Sequence, residues 1–209
     1  MKKVWLISFL LSLHAMYAQN LQTGDLLFVV SGTSPYSDAI SQSTAFAEDS
    51  LAFDHVAMLW ITADSVFNVI EAVPQNVVHI TTLDSFLVSA THLKGRPGVV
   101  VKRLTGNFSP DDAVLNALRY LGQSYDWYFE PDNGRMYCSE LIYESYLNNE
   151  GDHIFNTVPM NFKSSDGTIA DFWIKLFEDA GKPVPQGERG TNPQDMSRDK
   201  QLIEVYRYF

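Results

Sequence analysis

Three side chains spread along this chain have the types needed for nucleophilic catalysis: a thiol at Cys138, an imidazole at His55 and a carboxylate at Glu71. A thiol attacks a carbonyl carbon as its thiolate, a form favoured by a neighbouring imidazole and by the positive end of a helix. Cys138 is the only cysteine in 209 residues, so neither an intramolecular disulfide nor a multi-cysteine zinc site can form. It is then either a small buried hydrophobe or a free reactive thiol. Tyr137-Cys138-Ser139-Glu140-Leu141-Ile142-Tyr143 reads as the start of a helix. Leu141, Ile142 and Ser145 follow Cys138 at helical spacing, which directs the thiol toward the domain body. Met136 and Tyr137 are poor capping residues, which leaves the first backbone N–H groups free to serve as an oxyanion hole.

The imidazole and the carboxylate belong to two apolar runs, His55–Ile61 and Val66–Glu71, whose short polar connection marks a β-hairpin. If the loop is Thr62-Ala63-Asp64, the ladder sets Glu71 directly opposite His55 on one face. The carboxylate can then fix one ring nitrogen and leave the other for the thiol. A four-residue loop would instead put Ala72 opposite His55 and turn Glu71 to the other face. Asp54 adds a second carboxylate beside the histidine, able either to raise the thiol's pKa or to bind a cationic group. His79 lies in a short strand with no evident acidic neighbour, and His92 and His153 fall in polar loop-like stretches, so all three read as structural or exposed. No histidine pair has metal-ligand spacing. Ser31-Gly32-Thr33-Ser34 lacks the elbow of a serine hydrolase, and no phosphate-binding glycine loop is present.

These residues must be held by a sheet and helices. Strands are expected over Leu26–Val30, His55–Ile61, Val66–Glu71, Val77–Ile80, Val99–Leu104 and Leu202–Tyr206, with short helices near Asp38–Ser43 and Leu83–Thr91. Ser109-Pro110-Asp111-Asp112 is a helix start and Gly122 its stop. Thr168, with Asp171 as a weak capping box, opens an amphipathic helix along Ile169, Phe172, Trp173, Leu176 and Phe177. Pro183 to Ser197 reads as an irregular loop; within it, Gln186 to Gln194 is either one wall of a substrate cleft or a plain surface connection. Strands early and helices late argue for an α+β class.

Met1-Lys2-Lys3, the apolar run Val4–Leu13 and the small residues up to Ala18 form a signal-peptide pattern too short to span a membrane, so residues 1–18 are expected to be removed and 19–209 to form one domain. Loss of two lysines takes the formal charge from −10 to −12. Such acidity disfavours nucleic acid and anionic lipid surfaces, and no stable membrane insertion is expected once the signal is cleaved. The expected location is the periplasm or the exterior.

Gly24-Asp25-Leu26-Leu27-Phe28, Phe53-Asp54-His55-Val56-Ala57-Met58 and the Tyr137–Tyr143 segment together resemble the permuted papain-like amidases of the YiiX/YaeF type, relatives of NlpC-type cell-wall peptidases and of lecithin retinol acyltransferase. Glu71-Ala72 and Asn192-Pro193 match further elements of that family. The resemblance implies a circularly permuted papain-like (NlpC-like) fold, with an antiparallel sheet packed against helices and the cysteine at a helix N-terminus. It implies Cys138 as nucleophile, His55 as general base and Glu71 as orienting acid, with no cofactor and no metal. The order His55, Glu71, Cys138 inverts the papain order, as a permutation does. The implied substrate is a small peptide or amide, derived from the cell wall given the compartment. A lipid-directed acyl hydrolase or acyltransferase, or a non-catalytic binding module, are the alternative readings.

Overall fold

The computed structural model describes residues 21–74 and 77–209; the expected signal segment lies outside the described residues. The elements in chain order are β1 (Asp25–Val30), α1 (Pro35–Thr44), β2 (Phe53–Ile61), β3 (Phe67–Ala72), β4 (Val78–Thr82), α2 (Leu83–Ser89), β5 (His92–Leu93), β6 (Arg96–Pro97), β7 (Val99–Leu104), α3 (Pro110–Leu118), α4 (Cys138–Ser145), β8 (Val158–Pro159), α5 (Asp171–Asp179), β9 (Arg189–Gly190), α6 (Pro193–Ser197) and β10 (Leu202–Arg207). Six strands form one sheet in the order β10-β7-β1-β2-β3-β4, and each neighbouring pair in it is antiparallel. β5–β6 and β8–β9 are separate two-stranded pieces. The class is α+β, with the permuted papain-like arrangement of a sheet against helices.

Both faces of the sheet are covered, which is why β1 reads as an unbroken apolar run and not as an alternation. Leu26, Phe28, Val56, Met58 and Ile70 point to one face, where Ala113, Val114 and Ala117 of α3 and Cys138, Leu141 and Ile142 of α4 pack on them. Leu27, Val29, Ala57, Leu59 and Val69 point to the other, under Leu83 and Phe86 of α2. A third cluster joins Ala39 and Ile40 of α1 to Trp173 and Phe177 of α5, with Met160 and Phe162 between them. It builds the wall that faces α4.

Several element boundaries differ from expectation, among them α3, which ends at Leu118 and not at Gly122. The amphipathic helix starts at Asp171, behind Ala170, because Thr168 is engaged with Ser164 and Asp166 in a turn of its own. The Pro183–Ser197 segment is not wholly irregular: it contains β9, and Asn192 caps the short helix α6 by accepting from Asp195 N at 2.8 Å. Gly24 follows the sequence reading as a turn residue. Its φ is +82° and a Cβ there would lie 3.0 Å from Pro110, while its carbonyl accepts from the buried Tyr146 hydroxyl at the end of α4.

Candidate active site

The hairpin that carries His55 and Glu71 has a loop of the expected length, moved one residue along. Thr62 N donates to Val66 O (3.0 Å), so the turn residues are Ala63, Asp64 and Ser65, and the ladder pairs Ile61 with Phe67 and Met58 with Ile70. Ser65 decides this by taking the left-handed conformation (φ +64°), while Thr62 Oγ1 donates to Asp64 Oδ1. Extended along β2, that register sets Ala57 opposite Glu71, and His55 becomes a diagonal neighbour. A register change of two residues preserves the face. The side chains therefore still meet, with His55 Nε2 and Glu71 Oε2 2.7 Å apart.

A bulge lies beside the histidine. Val29 pairs with His55 and Val30 with Phe53, so Asp54 is the extra residue on β2. Its Oδ2 accepts from Gly32 N at 3.1 Å. Bulges bend a strand and re-aim its side chains, and they recur next to active sites.

Cys138 is the first residue of α4 and is 4% exposed. Tyr137 caps the helix in an extended conformation, and its N–H donates to Glu140 Oε2 at 3.2 Å. Burial, together with the charges of Asp126, Glu144 and Asp132, pushes the Glu140 carboxyl up to about 8. Ser145 is buried with the thiol, as the helical spacing requires, and the adjacent Ser139 is buried too.

His55 bridges the thiol and the carboxylate. Burial of its ring opposes protonation, but hydrogen bonds to Cys138 and Glu71, and negative charge on both, outweigh it and hold His55 well above its ordinary 6.5. With Nε2 committed to Glu71, Nδ1 is the ring nitrogen left for another partner. The carboxylate side chain is 7% exposed and the imidazole 17%. A carboxylate placed in this way fixes the orientation of an imidazole.

The cleft has two lobes. Cys138 opens onto a small, mainly apolar pocket with Ile40, Phe129, Phe162 and Trp173 in its walls. His55, Glu71 and His79 line a more polar lobe on the other side. Asp54, Tyr36 and Tyr125 border both. The two tyrosine hydroxyls are hydrogen-bonded to each other (2.6 Å), and burial drives both phenols far up, so they remain neutral donors. Thr191, Asn192 and Pro193 of the late loop line the apolar lobe, so this segment is a cleft wall and not a mere connection. Gly190 permits the approach: a Cβ there would sit 2.6 Å from Met160 Sδ and 3.2 Å from the Tyr137 hydroxyl. Thr191 N donates to that hydroxyl at 3.1 Å, and Thr191 Oγ1 donates to Ser139 Oγ at 3.0 Å.

The sequence reading of His79 is corrected here. It sits directly opposite Glu71 in the β3–β4 ladder, and its Nε2 is 3.3 Å from Glu71 Oε1. The turn formers Pro74-Gln75-Asn76 between two strand-like runs were the available signal for that pairing. His92, hydrogen-bonded to Ala90 O, and His153, stacked on Tyr143 at 3.9 Å, do not line the cleft.

Residues 20–206 match the family described as permuted papain-like amidase enzyme, YaeF/YiiX, C92 family. The chain belongs to this family. It is also 31% identical over 206 residues to the uncharacterized protein YiiX of Escherichia coli strain K12, covering 97% of this chain and 94% of that one. The crystal structure of a protein described as metalloprotein yiiX, from Escherichia coli O157:H7, matches with a TM-score of 0.73 at 27% identity, over 91% of this chain and 99% of that one. The family is one of papain-like amidases and cysteine peptidases. The donors among the described residues do not fit a metal centre. Among the described residues no three His, Cys, Asp or Glu side chains form a metal-binding group, and His55 Nε2 and Glu71 Oε2 stand in direct contact with no space for an ion between them. Nor is any described helix long and apolar enough to cross a membrane.

Proposed function

We propose that this protein is an exported cysteine amidase in which Cys138 is the nucleophile, His55 the acid–base group and Glu71 its orienting carboxylate. The observation that carries the reading is the His55 ring, bonded to Glu71 at 2.7 Å and pushed above its ordinary pKa by Glu71 and the neighbouring Cys138. In the first half-reaction the thiolate sulfur forms a bond to the amide carbon, and the carbonyl oxygen takes the negative charge beside the positive, N-terminal end of α4. The C–N bond then breaks as the His55 imidazolium gives its proton to the leaving amine. In the second, water gives a proton to His55 and attacks the thioester, the C–S bond breaks, and the acid leaves with the thiolate–imidazolium pair restored. Cell-wall peptide fragments are the substrate class that fits an exported member of this family.

The apolar lining around Cys138 favours a second reading, a lipid-directed acyl hydrolase or acyltransferase that seats an acyl chain among Phe129, Phe162 and Trp173. One experiment separates the two. The mature protein is incubated with cell-wall peptides and with lipid esters, and free amines are scored against free fatty acids. Cys138→Ala and His55→Ala should each abolish whichever activity appears, and removing the thiol should cost only about 1 kcal/mol of packing. Activity that survives Cys138→Ala in a folded protein rules out the thiol mechanism.

A further inference from the structure

We propose that His79 is a positioning residue, acting through Glu71 to hold His55 and the thiol in their reactive arrangement. This rests on the cysteine-hydrolase reading above. The Glu71 carboxylate is buried, and only its Oε2 is bonded to His55. Its other oxygen faces His79, directly across the β3–β4 ladder, at 3.3 Å. His79 Nε2 is itself buried and makes no hydrogen bond: it lies within ion-pair range of Oε1 but off the hydrogen-bond direction. The nearest charged acceptor to this buried nitrogen is the Glu71 carboxylate, which favours the tautomer with its hydrogen on Nε2. A small rotation of either side chain then closes an N–H···O bond. With one donor on each oxygen, the carboxylate cannot turn about its last torsion, which is otherwise soft. Oε2 therefore stays aimed at His55.

The surroundings leave His79 no competing role. The titratable groups that share its lobe are Asp54 and His55 of β2, Glu71 of β3, and Tyr36 and Tyr125 from across the cleft. The helix α2, packed behind, adds Phe86 and Ser89 there and no charge. No other described side chain is placed to bond Glu71 Oε1.

The test is the rate of Cys138 alkylation by iodoacetamide between pH 4 and 9, in the wild type, His55→Ala, His79→Leu and His79→Gln, with melting temperatures recorded alongside. Glutamine can place its amide N–H where Nε2 is; leucine cannot. The expected result is a wild-type thiol that labels at pH 6, a roughly tenfold loss in His79→Leu from one charge-assisted bond, and recovery to within about threefold in His79→Gln. If His79→Leu keeps the wild-type profile while His55→Ala loses it, the positioning role is overturned and the thiol mechanism stands. If His79→Gln falls as far as His79→Leu and both melt early, His79 is only a packing residue and the proposal is again overturned. A wild-type thiol that labels like a free cysteine and ignores His55→Ala overturns the hydrolase reading, and this proposal with it.

Discussion

Replacing Glu71 by glutamine keeps the size of the side chain and removes its charge, which isolates what the carboxylate does for His55. In the native site the contact is short, 2.7 Å, and both partners are largely withdrawn from water. A hydrogen bond to a charged group contributes about 1.5–3 kcal/mol, against about 1 kcal/mol for a neutral one. The difference, about 0.5–2 kcal/mol, corresponds to a drop of about one unit in the imidazole pKa, since one unit is about 1.4 kcal/mol. The sign follows from His55 being raised above its ordinary value. The stability contributed by its protonated form is complete below about pH 6.5 and is lost as pH rises through the raised value. In Glu71→Gln that loss should begin at lower pH. The alkaline limb of hydrolysis, where the leaving amine needs the imidazolium proton, should move toward pH 6.5 with it. Turnover at neutral pH should fall about 10–10²-fold, because the amide still offers an oxygen to Nε2–H but no charge. Two measurements check this: an NMR titration of the His55 ring, and a pH–rate profile on the substrate found by product scoring. A His55 titration unmoved by Glu71→Gln would refute the argument, since the charge would then contribute nothing at the ring.

Two further outcomes follow from the packing around the site. Asp25→Ala should lower stability by about 1.5–3 kcal/mol, read from urea unfolding, because the bonds between this fully buried carboxylate and the partly exposed Arg103 are lost. Thiol labelling in the fraction that stays folded should be unchanged. Asn192→Ser keeps a capping side chain on α6, so its effect on unfolding should stay under about 1 kcal/mol. Because Asn192 lines the lobe that holds Cys138, the ratio of peptide to ester hydrolysis should change; a ratio identical to wild type would mean that this wall does not touch substrate.

The parts of the site that sequence made legible are those governed by local periodicity. The helix under Cys138 is marked by Leu141, Ile142 and Ser145, and all three are buried. The hairpin was legible as two apolar runs, but not its register, because the choice between Thr62 and Ala63 as the first turn residue depends on Ser65 accepting a positive φ. The contact between His55 and Glu71 survived that difference because a two-residue change leaves every side chain on its own face. His79 was not legible for a different reason. Its partner is set by which strand lies beside β3 in the sheet, a non-local fact, and only with β4 paired there does Glu71 acquire a second imidazole. The late loop was ambiguous in the same way, since glycines and prolines do not say what a segment packs against. Gly190 answers only once Met160 and Tyr137 are seen closing over it.

The bulge at Asp54 lets β2 keep Phe53 in the core with Cys138 while turning His55 to the face that carries Glu71. Phe53, Val56 and Met58 all belong to the core under α4, although strict alternation would send Phe53 to the opposite face from the other two. The extra residue resets the count between Phe53 and His55. Phe53 therefore remains in the core with Cys138, while His55 joins Glu71 and His79 at the adjoining end of β3 and β4. Both carriers of the reactive groups are then ends of elements, the start of β2 and the start of α4, and neither depends on which comes first in the chain. That is why the order His55, Glu71, Cys138 can build the same arrangement as its inverse. The sheet needs those ends to meet; it places no demand on where the polypeptide was cut.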